Sequence, residues 1–227
     1  MNKRHFSLIA AAVLALSGAA QAAGTLTIKQ NGFSGGSVDV NIEQLGVNMD
    51  GVGAGLLNFD IKNGASFGAY CVELGQYTSS SYTDYTVGSF STPQASQLQN
   101  LFSANYAGVD TTTERAAFQL AVWELTHEKL SGPASVTELS GDLQSFNLNN
   151  STSNYDSLKN LANSYLSAGA AYSGNTLYQI EKLSSTTNQD LLRFNAVTAV
   201  PEPSSYALLL AGLAAVGFMS KRRGRSI

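Results

Sequence analysis

The chain has 227 residues, of which 13% are charged, and a formal net charge of -3 at pH 7. Of its 16 acidic residues only Glu202 lies outside residues 23–200, whereas six of the 13 Lys and Arg residues lie in the two terminal segments. The segment between the ends is therefore acidic. This argues against nucleic acid or an anionic membrane surface as a partner, because both are bound through clustered Lys and Arg.

The first 22 residues have the pattern of a secretion signal. Two basic residues precede an apolar stretch from Phe6 to Leu16, and Ala20-Gln21-Ala22 forms an A-x-A cleavage pattern. The apolar stretch is about half of the ~20 residues that a membrane-spanning helix needs. We therefore predict a removable signal peptide at residues 1–22, followed by the mature protein.

The next part of the chain predicts β-strands. Two segments alternate apolar and polar residues, and two apolar-rich runs are separated by Gly and Asn turn signals. We interpret Gly51–Gly55 as a flexible turn and the Ser/Tyr/Thr-rich stretch Tyr77–Val87 as a hairpin or a long surface loop. The predicted strands are Thr25–Lys29, Val38–Ile42, Leu56–Ile61 and Phe67–Leu74.

Helical signals follow. Thr92-Pro93 predicts the start of a first helix, and Thr111-Thr112-Thr113-Glu114 matches a capping box that opens a second helix running to about Lys129. The second helix is apolar on almost every face from Ala116 to Leu125, which indicates a central, buried helix. A third helix is predicted at Ser153–Leu166.

Strands return at Thr176–Leu183 and Asp190–Ala196. The order of strands, helices and strands predicts an α+β fold, a β-sandwich or barrel with an inserted helical subdomain. We expect one domain over residues 23–199, which is strand-rich at 23–90, helical at 92–168 and returns to strands at 176–196.

Cys71 is the only cysteine, so no intramolecular disulfide can form, although exported proteins meet conditions in which disulfides form readily. Its thiol is either buried and inert, or a nucleophile, or already bonded to another group. Gln119 interrupts the apolar helix, and a buried amide without partners costs about 1 to 3 kcal/mol. Either a hydrogen-bond network satisfies this amide, or it loses ammonia and forms a thioester with a thiol.

Both residues lie in motifs that resemble those of the thioester domains of Gram-positive surface adhesins. That family pairs an aromatic-Cys-apolar motif with an apolar-Gln-x-x-apolar-Trp motif, and this chain has Tyr70-Cys71-Val72 and Phe118–Trp123 in the same order. The resemblance implies an intramolecular thioester between Cys71 and Gln119, with Tyr70 in a supporting role. A target amine would open this thioester.

Two further side chains of the second helix are candidates for supporting roles. Trp123 lies on the same helical face as Gln119, where shielding of the bond from solvent and anchoring of the core are both open and are compatible with each other. His127 follows one turn later and either assists proton transfer or interacts with the helix C-terminus. With one cysteine and one histidine in the mature chain, we expect neither a transition-metal site nor a cofactor.

The C-terminal segment resembles the PEP-CTERM sorting tail of Gram-negative bacteria. Pro201-Glu202-Pro203 precedes an apolar stretch, Tyr206–Met219, and a basic end that is expected in the cytoplasm. The resemblance implies one membrane segment within residues 200–227, transient anchoring at the inner membrane and processing by an exosortase-type enzyme. An ordinary tail-anchored protein is the alternative.

Three functions are open on the sequence. In the first, the protein is a covalent adhesin of the cell surface or extracellular matrix. Its target, an amine-bearing surface protein or matrix component, displaces Cys71 from the Gln119 acyl group. This single-turnover reaction is not enzymatic. In the second, both residues belong to the core of a noncovalent matrix or exopolysaccharide-associated protein. The third is a Cys71/His127 hydrolase or transferase, which needs an orienting partner around its thiolate.

Overall fold

The computed structural model describes residues 24–44, 47–127, 146–149, 151–197 and 208–214. The predicted signal peptide, the Pro201-Glu202-Pro203 motif and Lys129 lie outside these residues. The described residues form strands and helices, an α+β architecture, as predicted. In chain order the strands are β1 (Thr25–Phe33), β2 (Val38–Gln44), β3 (Val47–Ala54), β4 (Leu57–Ile61), β5 (Ser66–Cys71), β6 (Thr83–Gly88), β7 (Phe146–Leu148), β8 (Tyr178–Ser184) and β9 (Leu191–Ala196).

Six of the strands close into an antiparallel barrel in the order β1-β4-β5-β9-β8-β6, which confirms the barrel alternative. The strand β6 joins β1 to β8, so the interpretation of Tyr77–Val87 as a hairpin or surface loop is wrong from Thr83 onward. The physical reason is the burial of Tyr85, which is 1% exposed and gives this polar stretch an apolar inner face.

A second, three-stranded sheet has the order β3-β2-β7. The interpretation of Gly51–Gly55 as a flexible turn is therefore wrong, because Gly53 pairs with Asp39 and Val52 pairs with Val40 in an antiparallel ladder. Gly51 has a φ of 68°, a conformation that glycine adopts without steric cost. Its many glycines give this segment a low β-propensity, so the sequence alone does not indicate a strand. Cross-strand pairing stabilises it instead.

The helices are α1 (Thr92–Asn105), α2 (Thr112–His127) and α3 (Tyr155–Ala171). Both α1 and α2 contact barrel strands, and α3 packs against these two helices. The capping box of α2 is confirmed, because the N–H of Glu114 donates to Oγ1 of Thr111 and the N–H of Thr111 donates to Oε2 of Glu114. The buried run Ala116–Leu125 is also confirmed, and α2 packs against the other two helices and both sheets. The helix α3 begins later than predicted and extends past Leu166.

The predicted membrane segment is described only at residues 208–214, which are helical and exposed. Among the described residues, no helix has both the length and the apolar character needed to cross a membrane. The single membrane segment within residues 200–227 stays a prediction.

Candidate functional site

Cys71 is the last residue of β5, at one end of the barrel. Here β5 still pairs with β9, Cys71 opposite Leu191, whereas its register with β4 ends at Ala69 opposite Leu57. Successive side chains on a strand point to opposite faces. The thiol of Cys71, which is 6% exposed, therefore points away from the ring of Tyr70.

The side-chain amide of Gln119, on α2, pairs with the backbone of Cys71. The N–H of Cys71 donates to Oε1 of Gln119 at 2.9 Å, and Nε2 of Gln119 donates to the carbonyl oxygen of Cys71 at 2.9 Å. The amide makes the pair of bonds that a strand residue beside β5 would make, where the register with β4 has ended. Two predicted residues that lie 48 positions apart are thus in contact, and the amide is satisfied although Gln119 is 1% exposed.

The sulfur of Cys71 has a different partner, one that sequence analysis missed. Its S–H donates to Oε1 of Gln189 at 2.9 Å, and Nε2 of Gln189 donates to the carbonyl oxygen of Glu73. Gln189 lies in the loop that joins β8 to β9. Its only signal in the sequence was its position beside the predicted strand that begins at Asp190.

Burial raises the pKa of the Cys71 thiol well above its ordinary value. A thiol with a raised pKa is protonated at neutral pH, and the protonated form is a poor nucleophile. The hydrogen bond to Oε1 of Gln189 further requires the proton on sulfur. The site therefore disfavours the thiolate that a cysteine hydrolase uses.

A cleft of about 430 Å³ connects this cysteine with the surface. Cys71, Trp123 and Gln189 line it together with residues of β3 and of the segment after β5. Trp123 is 1% exposed and so forms a buried part of the wall. Asp50 and Tyr77 also line the cleft and are exposed, which gives a target group a route toward Cys71.

Tyr70 belongs to an aromatic cluster on the helical side of β5. Its ring centroid lies 5.2 Å from that of Phe118 and 6.1 Å from that of Phe102. Aromatic pairs of this kind contribute about 0.5 to 1.5 kcal/mol beyond the area that they bury. The structure thus places Tyr70 between the barrel and the helices, where it packs β5 against α2.

His127 lies in the last turn of α2. Its Nδ1 is 2.9 Å from the carbonyl oxygen of Trp123 and 3.2 Å from Oγ1 of Thr126. Burial lowers its pKa, while the contact with Trp123 and the charge of Glu73 act in the opposite direction. The geometry therefore agrees with the interpretation of His127 as a residue that interacts with the helix C-terminus. Among the described residues no group of His, Cys, Asp and Glu is arranged to hold a metal ion.

Comparison with known proteins identifies one end of the chain. Residues 199–223 match the PEP-CTERM protein-sorting motif. This motif marks an exported surface protein and implies processing by an exosortase-type enzyme. The N-terminal domain of the Streptococcus pyogenes pilus tip adhesin Cpa is similar over 63% of this chain and 84% of its own, with 16% identity and a TM-score of 0.38. No curated protein matches the chain.

Proposed function

We propose that this exported protein is a covalent adhesin whose reactive group is an intramolecular thioester between Cys71 and Gln119. The pair of 2.9 Å hydrogen bonds between the Gln119 amide and the Cys71 backbone carries the proposal. These bonds hold the acyl carbon of Gln119 beside the cysteine, on a buried helix and a barrel strand. Because the reacting groups are already held together, the acyl transfer loses less translational and rotational entropy than it would between free groups.

Formation of the thioester exchanges the amide nitrogen of Gln119 for the sulfur of Cys71. The new bond joins Sγ to Cδ of Gln119, the bond from Cδ to Nε2 breaks, and the thiol proton leaves with the nitrogen as ammonia. Negative charge develops on Oε1 of Gln119 as sulfur adds, and the N–H of Cys71 donates to that oxygen. This donor therefore acts as an oxyanion hole does, stabilising the tetrahedral intermediate.

Attachment to a target is the second acyl transfer. A primary amine adds to the acyl carbon of Gln119, the bond to sulfur breaks, and one amine proton passes to the sulfur of Cys71. The raised pKa of this thiol favours its departure in the protonated form. Since the product is a stable amide, each molecule reacts once, which distinguishes the protein from an enzyme.

The surroundings of the site suit an amine as the target group. The exposed carboxylate of Asp50 lines the cleft, and residues 23–200 carry an excess of acidic side chains. Both favour the approach of a cationic group. Because the sorting motif takes the protein to the surface, we expect the target to be an amine-bearing surface protein or matrix component.

A noncovalent matrix protein is the second candidate. The same hydrogen bonds satisfy the amide of Gln119 with no covalent change, so Cys71 and Gln119 then serve only the core. The cysteine hydrolase or transferase has less support, because burial raises the thiol pKa and His127 is engaged at the helix end.

Intact mass of the purified protein separates the first two candidates. The thioester makes the wild-type protein lighter than its sequence by one ammonia, and either Cys71→Ala or Gln119→Ala restores the sequence value. A wild-type mass equal to the sequence value, with glutamine still present at position 119, contradicts the proposal. Peptide mapping detects a thioester that was hydrolysed before the measurement, because hydrolysis converts Gln119 to glutamate and frees the thiol.

A further inference from the structure

Gln189 is anchored at three points beside the proposed reaction centre. Its backbone N–H donates to the carbonyl oxygen of Tyr77 at 3.1 Å, and its side-chain Nε2 donates to the carbonyl oxygen of Glu73. The remaining polar atom, Oε1, accepts the S–H of Cys71 at 2.9 Å. The neighbouring Asp190 strengthens this attachment, because its N–H donates to Oε2 of Glu73.

These contacts fix the amide of Gln189 independently of the thiol. A cysteine side chain has three staggered positions about its first torsion, and a thiol without a partner exchanges among them. The hydrogen bond to Oε1 selects one position and directs the proton of Cys71 toward Gln189. The lone pairs of sulfur are thereby left for the acyl carbon of Gln119, whose amide is bound to the backbone of Cys71. When the sulfur adds, its proton leaves the hydrogen bond to Gln189 for Nε2 of Gln119 and departs with it as ammonia.

We propose that Gln189 is a positioning residue that holds the sulfur of Cys71 for exchange with the amide nitrogen of Gln119. This inference rests on the proposed thioester. The acyl group itself comes from Gln119, because its amide is 1% exposed on a central helix and receives the Cys71 N–H at the oxygen where charge develops. Gln189 instead presents Oε1 to the thiol proton from a partly buried loop.

The positioning role of Gln189 is tested by comparing the wild-type protein with Gln189→Met. This substitution keeps the length of the side chain but removes the hydrogen-bond acceptor Oε1. Gln179→Met is the matched control, because Gln179 is exposed on β8. Ammonia opens the thioester by the reverse reaction and regenerates the amide of Gln119 and the thiol. After the ammonia is removed, mass spectrometry follows the renewed loss of one ammonia with time. Circular dichroism checks that each variant is folded.

We expect Gln189→Met to slow thioester formation about tenfold or more, since misplacing a reacting group by about 1 Å can cost ~10²-fold in rate. The control should form the bond at the wild-type rate. A second measurement is the S–H stretching band of the opened protein, which comes from Cys71 alone because the chain has one cysteine. Loss of the hydrogen bond should move this band to higher frequency in Gln189→Met only.

The inference and the proposed function fail in different ways. A wild-type protein that never loses ammonia overturns the thioester, and the S–H band then decides alone whether Gln189 holds the thiol. A folded Gln189→Met protein with the wild-type rate and the wild-type band overturns the positioning role. Methylamine incorporated at Gln189 instead of Gln119 also overturns it, because Gln189 is then the acyl donor.

Discussion

The ring of Tyr70 packs 5.2 Å from the ring of Phe118, centroid to centroid, one residue before each member of the Cys71–Gln119 pair. Both rings are fully buried. Their contact helps to fix the position of α2 along β5. Cys71 and Gln119 each lie one residue farther along these elements. Apolar packing thus contributes to the register in which the Gln119 amide meets the Cys71 backbone.

This arrangement predicts that removing the Gln119 amide lowers the free energy of unfolding even when no cross-link can form. In a Cys71→Ala background no thioester can form, yet the backbone groups that bind Gln119 remain. Adding Gln119→Ala leaves a buried N–H and a buried C=O without these partners, and we expect a loss of about 2 to 4 kcal/mol in the free energy of unfolding.

Urea unfolding measures this difference between the single and double variants. Gln179→Ala in the same background is the control, and it should change stability by less than about 0.5 kcal/mol because Gln179 is exposed. Equal effects of the two substitutions would mean that the Gln119 amide contributes nothing to stability.

His127 predicts a pH dependence of stability. Burial lowers its pKa in the folded protein below the ordinary value of 6.5, so between the two pKa values the unfolded chain binds a proton that the folded protein does not. Stability should therefore fall as the pH decreases below about 6.5, by at most ~1.4 kcal/mol per pH unit from this group.

Urea midpoints between neutral and mildly acidic pH test this expectation. His127→Gln should flatten the profile in that window, because the predicted mature protein has one histidine. An unchanged profile would show that the histidine titrates alike in both states.

The sorting tail predicts dependence of release on Pro201-Glu202-Pro203. Deleting these three residues while the apolar stretch Tyr206–Met219 is kept should leave the protein at the inner membrane, since processing is lost and anchoring remains. Cell fractionation with immunoblotting follows the protein, and alanine at Ser204 and Ser205 provides a control next to the motif. Release of the deletion variant at the wild-type level would contradict the assigned role of the motif.

The sequence predicted those parts of the fold whose cause is local. The α2 capping box is local, because Thr111 and Glu114 lie within one turn and satisfy each other's backbone. The strand β3 escaped prediction because its glycines carry no alternating pattern, and its stability comes from pairing with β2. The strand β6 escaped for a similar reason, since the burial of Tyr85 depends on the closure of the barrel.

The candidate site divides in the same way. The motifs around Cys71 and Gln119 drew attention to both residues, and the structure brings them into contact. Gln189 lies 118 positions from Cys71, in a polar loop whose sequence has no distinguishing pattern. Only the closure of β5 against β9 brings that loop to the sulfur, so a contact of this kind has no local signal.

The last prediction concerns the kind of reagent that the site accepts. A thioester carbonyl is an electrophile, whereas a catalytic thiolate is a nucleophile, so the adhesin and the cysteine enzyme require opposite reagents. Methylamine should add once to the wild-type protein, at Gln119, and release the thiol of Cys71. Iodoacetamide should barely label the untreated protein, even after denaturation, because the sulfur is already bonded.

Burial raises the pKa of the released thiol, so labelling of the native, methylamine-treated protein should be slow. The thiol is therefore counted in denaturant, where one iodoacetamide per molecule is expected after methylamine and none before it. Gln119→Ala should take one iodoacetamide in denaturant and no methylamine, because it keeps the thiol and lacks the acyl carbon. Rapid iodoacetamide labelling of the native, untreated protein at neutral pH, without a methylamine adduct, would contradict the thioester and favour a thiolate enzyme, since only an accessible thiolate reacts in this way.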